Sequence, residues 1–194
     1  MSLFKGSSAK AVLDAFSRSQ AMIEFTPDGT ILTANENFLG AMGYSLDEIK
    51  GQHHRMFVER DYGASQEYAE FWRNLAKGEF SAAEFLRFDK AGNEVWIQAS
   101  YNPVLNSAGK TVKVVKIASD ITDQKKRNAD NEGQVAAINR SQAVIHFELD
   151  GTIIDANENF LGAVGYSLKE IKGQHHRMFV DPEYGASGDY RQFW

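Results

Sequence analysis

Two adjacent histidines, His53 and His54, have the clearest capacity for ligand chemistry in this sequence of 194 residues. Neighbouring side chains on a short helix point about 100° apart, so two such residues rarely bind one ion. A closed zinc site also needs four ligands, commonly His and Cys, and the sequence has no cysteine. The pair therefore predicts no metal site, but either histidine could be the single axial ligand of a haem. The alternative is that both are partly exposed residues that only form hydrogen bonds.

A second group of side chains has the composition of a ligand pocket, which is usually an apolar slot with a few polar contacts. These residues are Asn35, Phe57, Trp72, Trp96 and Gln98. Together with His53 and His54 they form the predicted cofactor-binding set. The alternative for Trp72 is core packing, because aromatic residues at helical spacing usually lie in a core.

Composition narrows the class of function. The net charge is -5 and Lys and Arg are scattered, so no nucleic-acid interface is predicted. No apolar run approaches the roughly 20 residues that span a bilayer, and residues 1–5 lack a secretion-signal pattern. With no cysteine, we expect a cytoplasmic protein. No nucleophile–base pair or phosphate-binding glycine loop is present, so we expect no enzyme within these residues.

The sequence contains a long internal repeat. Residues 23–72 align without a gap with residues 145–194, at an offset of 122, and 36 of the 50 aligned pairs are identical. A period of this length is too long for a solenoid and indicates a duplicated domain. The second copy stops at the residue that matches Trp72, so we expect one complete domain, one truncated domain and a longer parent protein.

The first copy begins with elements that local patterns define. Apolar residues between positions 11 and 16 predict a short amphipathic helix. Residues 22–25 and 30–33 predict two strands, joined by the turn sequence Pro27-Asp28-Gly29.

Helices follow these two strands. Asn35 has the position of a helix N-cap, and Ser45 with Glu48 fits a capping box. A longer helix is predicted over residues 65–76, and Gly78 ends it.

The pattern then changes to a period of two. Residues 80–88, 94–104 and 111–117 predict three strands joined by tight turns, which makes them antiparallel neighbours. In the middle strand, one face would carry Val95, Ile97 and Ala99, and the other Trp96, Gln98 and Ser100. Strands that follow helices in this order predict an α+β domain with its helices on one face of an antiparallel sheet.

A polar helix connects the two copies. The predicted organisation is a helical cap over residues 1–17, a first domain over 18–122, a linker over 123–140 and the first part of a second domain over 141–194. The apolar linker residues Val135 and Ile138 match Leu13 and Phe16 of the first copy. Such a helix is either a solvated spacer or one strand of a weak dimeric coil, and we favour a homodimer.

These patterns resemble the PAS domain. The segments that resemble its first half are Ala34-Asn35-Glu36-Asn37-Phe38, Gly43-Tyr44-Ser45 and Glu48-Ile49-Lys50-Gly51. Those that resemble its second half are Trp96-Ile97-Gln98-Ala99-Ser100-Tyr101-Asn102-Pro103, Lys113-Val114-Val115-Lys116 and Asp120-Ile121-Thr122. The segment from His53 to Val58, combined with Phe71-Trp72, is similar to the tandem PAS modules of soluble methyl-accepting chemotaxis proteins. That group includes biofilm-dispersion and aerotaxis-type receptors.

The resemblance implies a PAS fold, in which a five-stranded antiparallel sheet and short helices enclose a pocket. It makes haem and FAD the candidate cofactors. Some haem PAS domains place the axial histidine in the longer helix, where residues 65–76 have none, and others use the short helix that would hold His53 and His54. Aerotaxis-type PAS domains bind FAD, and Trp72 has a position similar to a tryptophan in them. Light-driven flavin chemistry is excluded because it needs a cysteine.

The resemblance also implies a route for the signal. Asp120, Ile121 and Thr122 would join the sheet to an output helix, and a downstream signalling domain would control a histidine kinase through an adaptor. Alternatively, the triplet only caps the helix. The chain as a whole could instead be a ligand-free dimerisation module, or the sensor of a histidine kinase or diguanylate cyclase.

Overall fold

The computed structural model describes residues 6–194, which form two compact units that divide after Lys126. The first unit contains a five-stranded sheet and the second a two-stranded sheet. The division falls inside the helix that connects the two copies. Residues 1–5 of the predicted helical cap lie outside the described part of the chain.

The first unit has the predicted order of two strands, several short helices, one longer helix and three strands. Its elements are α1 (Gly6–Ser19), β1 (Ala21–Phe25), β2 (Ile31–Ala34), α2 (Glu36–Met42), α3 (Leu46–Ile49), a 3₁₀ helix (His54–Phe57), α4 (Arg60–Gly63), α5 (Gln66–Ala76), β3 (Ser81–Phe88), β4 (Glu94–Leu105) and β5 (Thr111–Asp120). Helix α6 (Thr122–Ser141) follows and continues into the second unit.

The sheet has the order β2-β1-β5-β4-β3, and all neighbouring strands are antiparallel. The predicted α+β class with a five-stranded antiparallel sheet is confirmed. Strand β5 runs three residues beyond its predicted end at residue 117, because Ser119 and Asp120 pair with Gln98 and Ile97 of β4. The chain therefore leaves the sheet at Asp120 and enters α6 at once.

The helices cover one face of this sheet, and the core lies between them. Along β4 the inward residues Val95, Ile97, Ala99 and Tyr101 are at most 6% exposed. Trp96, Gln98 and Ser100 alternate with them and face outward, as the period of two predicts.

Local hydrogen bonds fix where the short helices begin and end. The side chain of Asn35 accepts a bond from the Phe38 amide at 3.0 Å and so caps α2. Gly43 ends α2 in the left-handed region, with φ of 69°. The Glu48 carboxylate accepts a bond from the Ser45 amide at 2.9 Å, which is the return bond of the predicted capping box.

The second unit repeats the first half of this fold. Its elements are the end of α6, β6 (Ile145–Phe147), β7 (Ile153–Ala156), α7 (Glu158–Val164), α8 (Leu168–Ile171), a 3₁₀ helix (His176–Phe179), α9 (Pro182–Gly185) and α10 (Gly188–Phe193). Its buried apolar core is small and contains Ile153, Ala156 and Ile171. No helix in the described range 6–194 is long and apolar enough to cross a membrane.

Candidate functional site

His54 lies at the centre of the first unit and is fully buried. Its backbone amide donates to the Gly29 carbonyl at 2.9 Å, which fixes the 3₁₀ helix against the β1–β2 turn. The ring nitrogen Nδ1 is 2.8 Å from the Tyr68 hydroxyl of α5, and Nε2 is 2.9 Å from the Tyr101 hydroxyl of β4. One imidazole therefore joins a helix to the sheet.

The direction of this hydrogen-bond chain follows from the chemistry of Arg87. A guanidinium can only donate, so its Nη2 donates to the Tyr101 hydroxyl at 3.0 Å. We assign the tautomer with the proton on Nδ1, because Tyr101 then donates its hydrogen to Nε2 of His54 and Tyr68 accepts from Nδ1–H. A neutral imidazole of this one tautomer gives both of its ring nitrogens a partner, whereas the buried Nε of Arg87 has none.

Aromatic rings surround this imidazole. The ring centroids of Phe25 and Trp72 are each 5.4 Å from that of His54, and that of Phe57 is 6.1 Å away. Tyr101, at 5.7 Å, completes the group. The space between helices and sheet at this point is filled by side chains of the chain itself.

His53 has a different environment from its neighbour. Its Nε2–H donates to the Asp28 carbonyl at 2.8 Å, and its Nδ1 accepts from the Arg55 amide at 3.1 Å. Partial burial lowers its pKa. His53 is thus the partly exposed hydrogen-bonding residue of the alternative interpretation, whereas for His54 the expectation of partial exposure is wrong.

The β1–β2 turn is shaped to receive His53. Gly29 has φ of +93°, and a Cβ added there would lie 2.8 Å from the Trp72 ring and 2.9 Å from the His53 ring. A side chain would meet both a strained backbone and two packed rings. Because Gly29 has no side chain, the rings of His53 and Trp72 can pack directly against the turn.

A haem or a flavin does not fit this arrangement. An axial ligand needs a free ring nitrogen, and both nitrogens of His54 and of His53 are already hydrogen-bonded. The rings of Phe25, Trp72 and Tyr101 occupy the space that a flat cofactor would need. Within residues 6–194, no three His, Cys, Asp or Glu side chains gather as a metal site.

Two buried basic side chains lie at this network. Lys116 of β5 is 1% exposed and Arg87 of β3 is 4% exposed. The Lys116 Nζ lies 5.1 Å from the Tyr101 ring centroid and 5.4 Å from that of Phe38. No Asp or Glu of the described chain is buried in this core. Burial, and then the Arg87 charge, hold the Lys116 pKa well below its ordinary value.

The structure brings together only part of the predicted site. His53, His54, Phe57 and Trp72 form one cluster, as the distances above show. Asn35 lies away from it, because its side chain is used to join α1, β1 and α2. Trp96 and Gln98 also lie elsewhere, because the period of two in β4 turns them to the outer face of the sheet. The prediction that these three residues lie together with the buried histidine cluster is therefore wrong.

Trp96 belongs instead to the junction between the sheet and α6. Its carbonyl accepts from the Ile121 amide at 2.8 Å, and its amide donates to the Thr122 hydroxyl at 2.9 Å. The Thr122 amide donates to the Asp120 carboxylate at 2.8 Å. The Lys125 Nζ lies 5.0 Å from the Trp96 ring centroid. Asp120, Ile121 and Thr122 therefore fasten the first turn of α6 to the first residues of β4.

A cleft of about 250 Å³ lies next to this junction. It runs between α2 and the inner face of the sheet. Its lining residues are Ser19, Ala21, Asn37, Phe38, Ala41, Met42, Ile97, Ala118, Ser119 and Asp120. An opening from solvent towards the core thus lies beside Asp120.

Four residues of the buried network were not predicted from the sequence: Tyr68, Arg87, Tyr101 and Lys116. One signal was present for Tyr101, which continues the inward series of Val95, Ile97 and Ala99. Lys116 likewise lies at an inward position of β5, between the buried residues Val114 and Ala118. A lysine at an inward position of a strand indicates a buried polar group.

The second unit contains the first part of the same network. The His176 Nδ1 is 2.9 Å from the Tyr190 hydroxyl, and the His175 Nδ1 accepts from the Arg177 amide at 3.1 Å. These contacts match those of His54 and His53. The network residues Arg87 of β3 and Tyr101 of β4 have no counterparts among residues 145–194.

We expect the first unit to lose stability as the pH falls below about 6.5. Burial, followed by the charges of Arg87 and Lys116, holds the pKa of His54 well below its usual 6.5. The unfolded chain then binds a proton that the folded chain does not, so the free energy of unfolding falls by up to about 1.4 kcal/mol between pH 7.5 and 5.5. Urea unfolding at both pH values measures this loss. The His54→Gln variant, which lacks the titrating group, should lose less over the same range, and an equal loss in both proteins contradicts the assignment.

Replacing Lys116 with methionine should stabilise the protein. A buried amine without a carboxylate partner costs desolvation energy, and an apolar side chain of similar length removes that cost, by about 1 kcal/mol or more. Thermal unfolding is the measurement, and Lys116→Met should unfold at a higher temperature than the wild type. Lys113→Met is the matched control: Lys113 is three residues away in the same strand, on the outer face, and pairs with Glu24 at 2.8 Å, so no gain is expected. A Lys116→Met protein less stable than wild type would show that the ammonium makes a net favourable contact.

Comparison with known proteins identifies the family of the chain. A family model described as the PAS fold matches residues 16–126, and one described as a PAS domain matches residues 142–193. A solved PAS domain of a protein from Colwellia psychrerythraea has a TM-score of 0.53 at 22% identity, over 59% of this chain and 98% of that domain. That likeness concerns the fold alone.

Relatives of known function come from signalling. The biofilm dispersion protein BdlA of Pseudomonas aeruginosa is 41% identical over 180 residues, which are 93% of this chain and 43% of that protein. The aerotaxis receptor of Escherichia coli is 31% identical over 94 residues, which are 48% of this chain and 18% of the receptor. The chain spans less than half the length of either relative. The predicted resemblance to the tandem PAS modules of chemoreceptors is confirmed, and the chain, with one PAS match over more than half of its length, belongs to the PAS family.

Proposed function

We propose that this chain is the sensory and relay region of a bacterial chemoreceptor, in which the first PAS domain passes a conformational change to α6. The observation that carries the proposal is the junction at Trp96. Both peptide groups of one β4 residue are bonded to the start of α6, through Ile121 and Thr122. The relay is therefore assigned to Asp120, Ile121 and Thr122.

The physical route from core to helix is short. Trp96 stands between the inward residues Val95 and Ile97, so a shift of β4 that repacks the core also moves the Trp96 peptide groups. An ion pair between Lys125 and Glu84, at 2.6 Å, ties the first turn of α6 to β3 as well. A packed core has discrete arrangements, so such a shift can bias the helix between two positions.

The proposal extends to partners. Val135 and Ile138 of α6 are 57% and 48% exposed, and they are the apolar residues that a parallel helix pair in a homodimer would cover. The downstream parts are a methyl-accepting signalling domain, an adaptor and a histidine kinase in the cytoplasm. The chain itself acts in this scheme as a non-enzymatic module.

Two versions of the sensor remain: a cofactor-binding domain with haem or FAD, and a ligand-free interaction module. The filled space around His54 favours the second. We expect the purified protein to be colourless and to stay so after haem or FAD is added, because both ring nitrogens of His54 are occupied and aromatic side chains fill the site. The absorption spectrum is the measurement. A Soret band that is lost in His54→Gln, or flavin bands that are lost in Trp72→Phe, would instead establish the cofactor version.

The relay itself is tested by Thr122→Val, which keeps the shape of the side chain and removes the acceptor of the Trp96 amide. Loss of one such hydrogen bond costs about 1 kcal/mol, so amide exchange at Trp96 and in the first turn of α6 should become about five-fold faster. In the whole receptor, the Thr122→Val substitution should also change the activity of the kinase that the receptor controls. Thr33→Val, at an exposed position of β2, is the control. Faster exchange in Thr122→Val with unaltered kinase control would refute the relay.

A further inference from the structure

Two asparagines in the first unit hold the end of the preceding helix. The Asn35 Nδ2 donates to the backbone carbonyls of Ser17 at 2.9 Å and Gln20 at 2.8 Å. The Asn37 Nδ2 reaches the same two carbonyls at 3.1 and 3.2 Å. The Asn35 Oδ1 accepts from the amides of Met22 and Phe38, at 2.9 and 3.0 Å. One side chain thus joins α1, β1 and α2.

The second unit contains the same arrangement, and there the helix that is held is α6. The Asn157 Nδ2 donates to the carbonyls of Asn139 at 3.0 Å and Gln142 at 2.6 Å, and the Asn159 Nδ2 reaches both at 3.2 and 3.1 Å. The Asn157 Oδ1 accepts from the amides of Val144 and Phe160, each at 2.9 Å. We call Asn157 and Asn159 the asparagine clamp.

The chemistry of a helix end explains why amides serve here. The last four carbonyls of a helix have no partner within it, and they carry the negative end of the helix dipole. The amide of Asn157 donates to this end, while its oxygen caps α7 and receives the start of β6. All four hydrogen-bonding positions of that side chain are used. A shift of the α6 terminus therefore breaks bonds to two elements of the second domain or carries both with it.

From this geometry we infer that the asparagine clamp is the point where the second PAS domain takes up movement of α6. The inference rests on the proposed relay and extends it: movement of α6 enters the second domain through these two side chains. The first turn of α6 is tied to β4 through Thr122, and its last turn is tied to β6 and α7 through Asn157. Asn157 and Asn159 act as positioning residues for the helix.

The test uses a variant that separates the two functions of the amide. In Asn157→Asp with Asn159→Asp, the side-chain oxygens still accept from the Val144 and Phe160 amides, but nothing donates to the carbonyls of α6. The second domain keeps its capped helix and loses its hold on α6. Amide exchange is measured over residues 139–164 in the whole chain, with and without Thr122→Val.

In the wild-type background we expect Thr122→Val to raise exchange in β6 and α7 at least two-fold. In the aspartate background the same substitution should leave exchange in β6 and α7 unchanged, while the last turn of α6 exchanges about ten-fold faster throughout. The matched control is Asn35→Asp with Asn37→Asp, which makes the same chemical change at α1 and should leave the response of the second domain intact. The single variant Asn159→Ala, which removes one donor without adding charge, should give an intermediate response.

The outcomes separate this inference from the relay that it extends. If Thr122→Val does not loosen even the first turn of α6, the relay fails. If the first turn loosens and β6 and α7 do not respond in the wild-type background, the asparagine clamp does not transmit movement of α6 to the second domain. An equal response of β6 and α7 in the wild-type and aspartate backgrounds would overturn the clamp as well, since movement would then reach the second domain by another route.

Discussion

A neutral imidazole with a hydrogen bond on each side organises the first domain. His54 has no access to water, so each of its nitrogens needs a partner inside the protein, and those partners come from α5 and from β4. A buried polar group that loses its partner costs the full penalty of desolvation. The separation between helix and sheet is therefore fixed at this point. Arg87 extends the constraint to the edge strand β3, and the Gly29 turn extends it to β1 and β2.

The same constraint bears on what the domain can sense. Around His54 the core contains two buried basic side chains and no buried carboxylate, and aromatic rings supply the electron-rich surfaces near Lys116. The residues of the chain itself fill the space around His54, so a large cofactor would have to displace Tyr68 or Tyr101 from it. The cleft beside Asp120 lies outside this network, where the sheet passes into α6.

Comparison of the two copies shows which contacts form within the first half of the domain alone. The capping side chains Asn35 and Asn157, and the adjacent histidines with their tyrosine partners, have the same geometry in both units. These contacts need only the first half of the domain. The core does need the second half: Phe38 and Phe57 are buried, whereas Phe160 and Phe179 are only partly covered. The later strands thus contribute the burial and the network partners, while the first half contributes the helix caps.

The sequence by itself determined the elements, the antiparallel sheet, the repeat and the caps, because these depend on periodicity and on residues within about four positions of each other. It also determined that His53, His54, Phe57 and Trp72 lie together, since they belong to adjacent segments of one motif. It did not place Asn35, because the position of the end of α1 is not encoded locally, and it grouped Trp96 and Gln98 with the pocket although the period of two in β4 turns them away from Val95 and Ile97. Only the tertiary structure brought Tyr101, Arg87 and Lys116 to His54. These three residues lie 33 to 62 positions from His54 in the sequence, and strand pairing across the sheet decides which side chains meet.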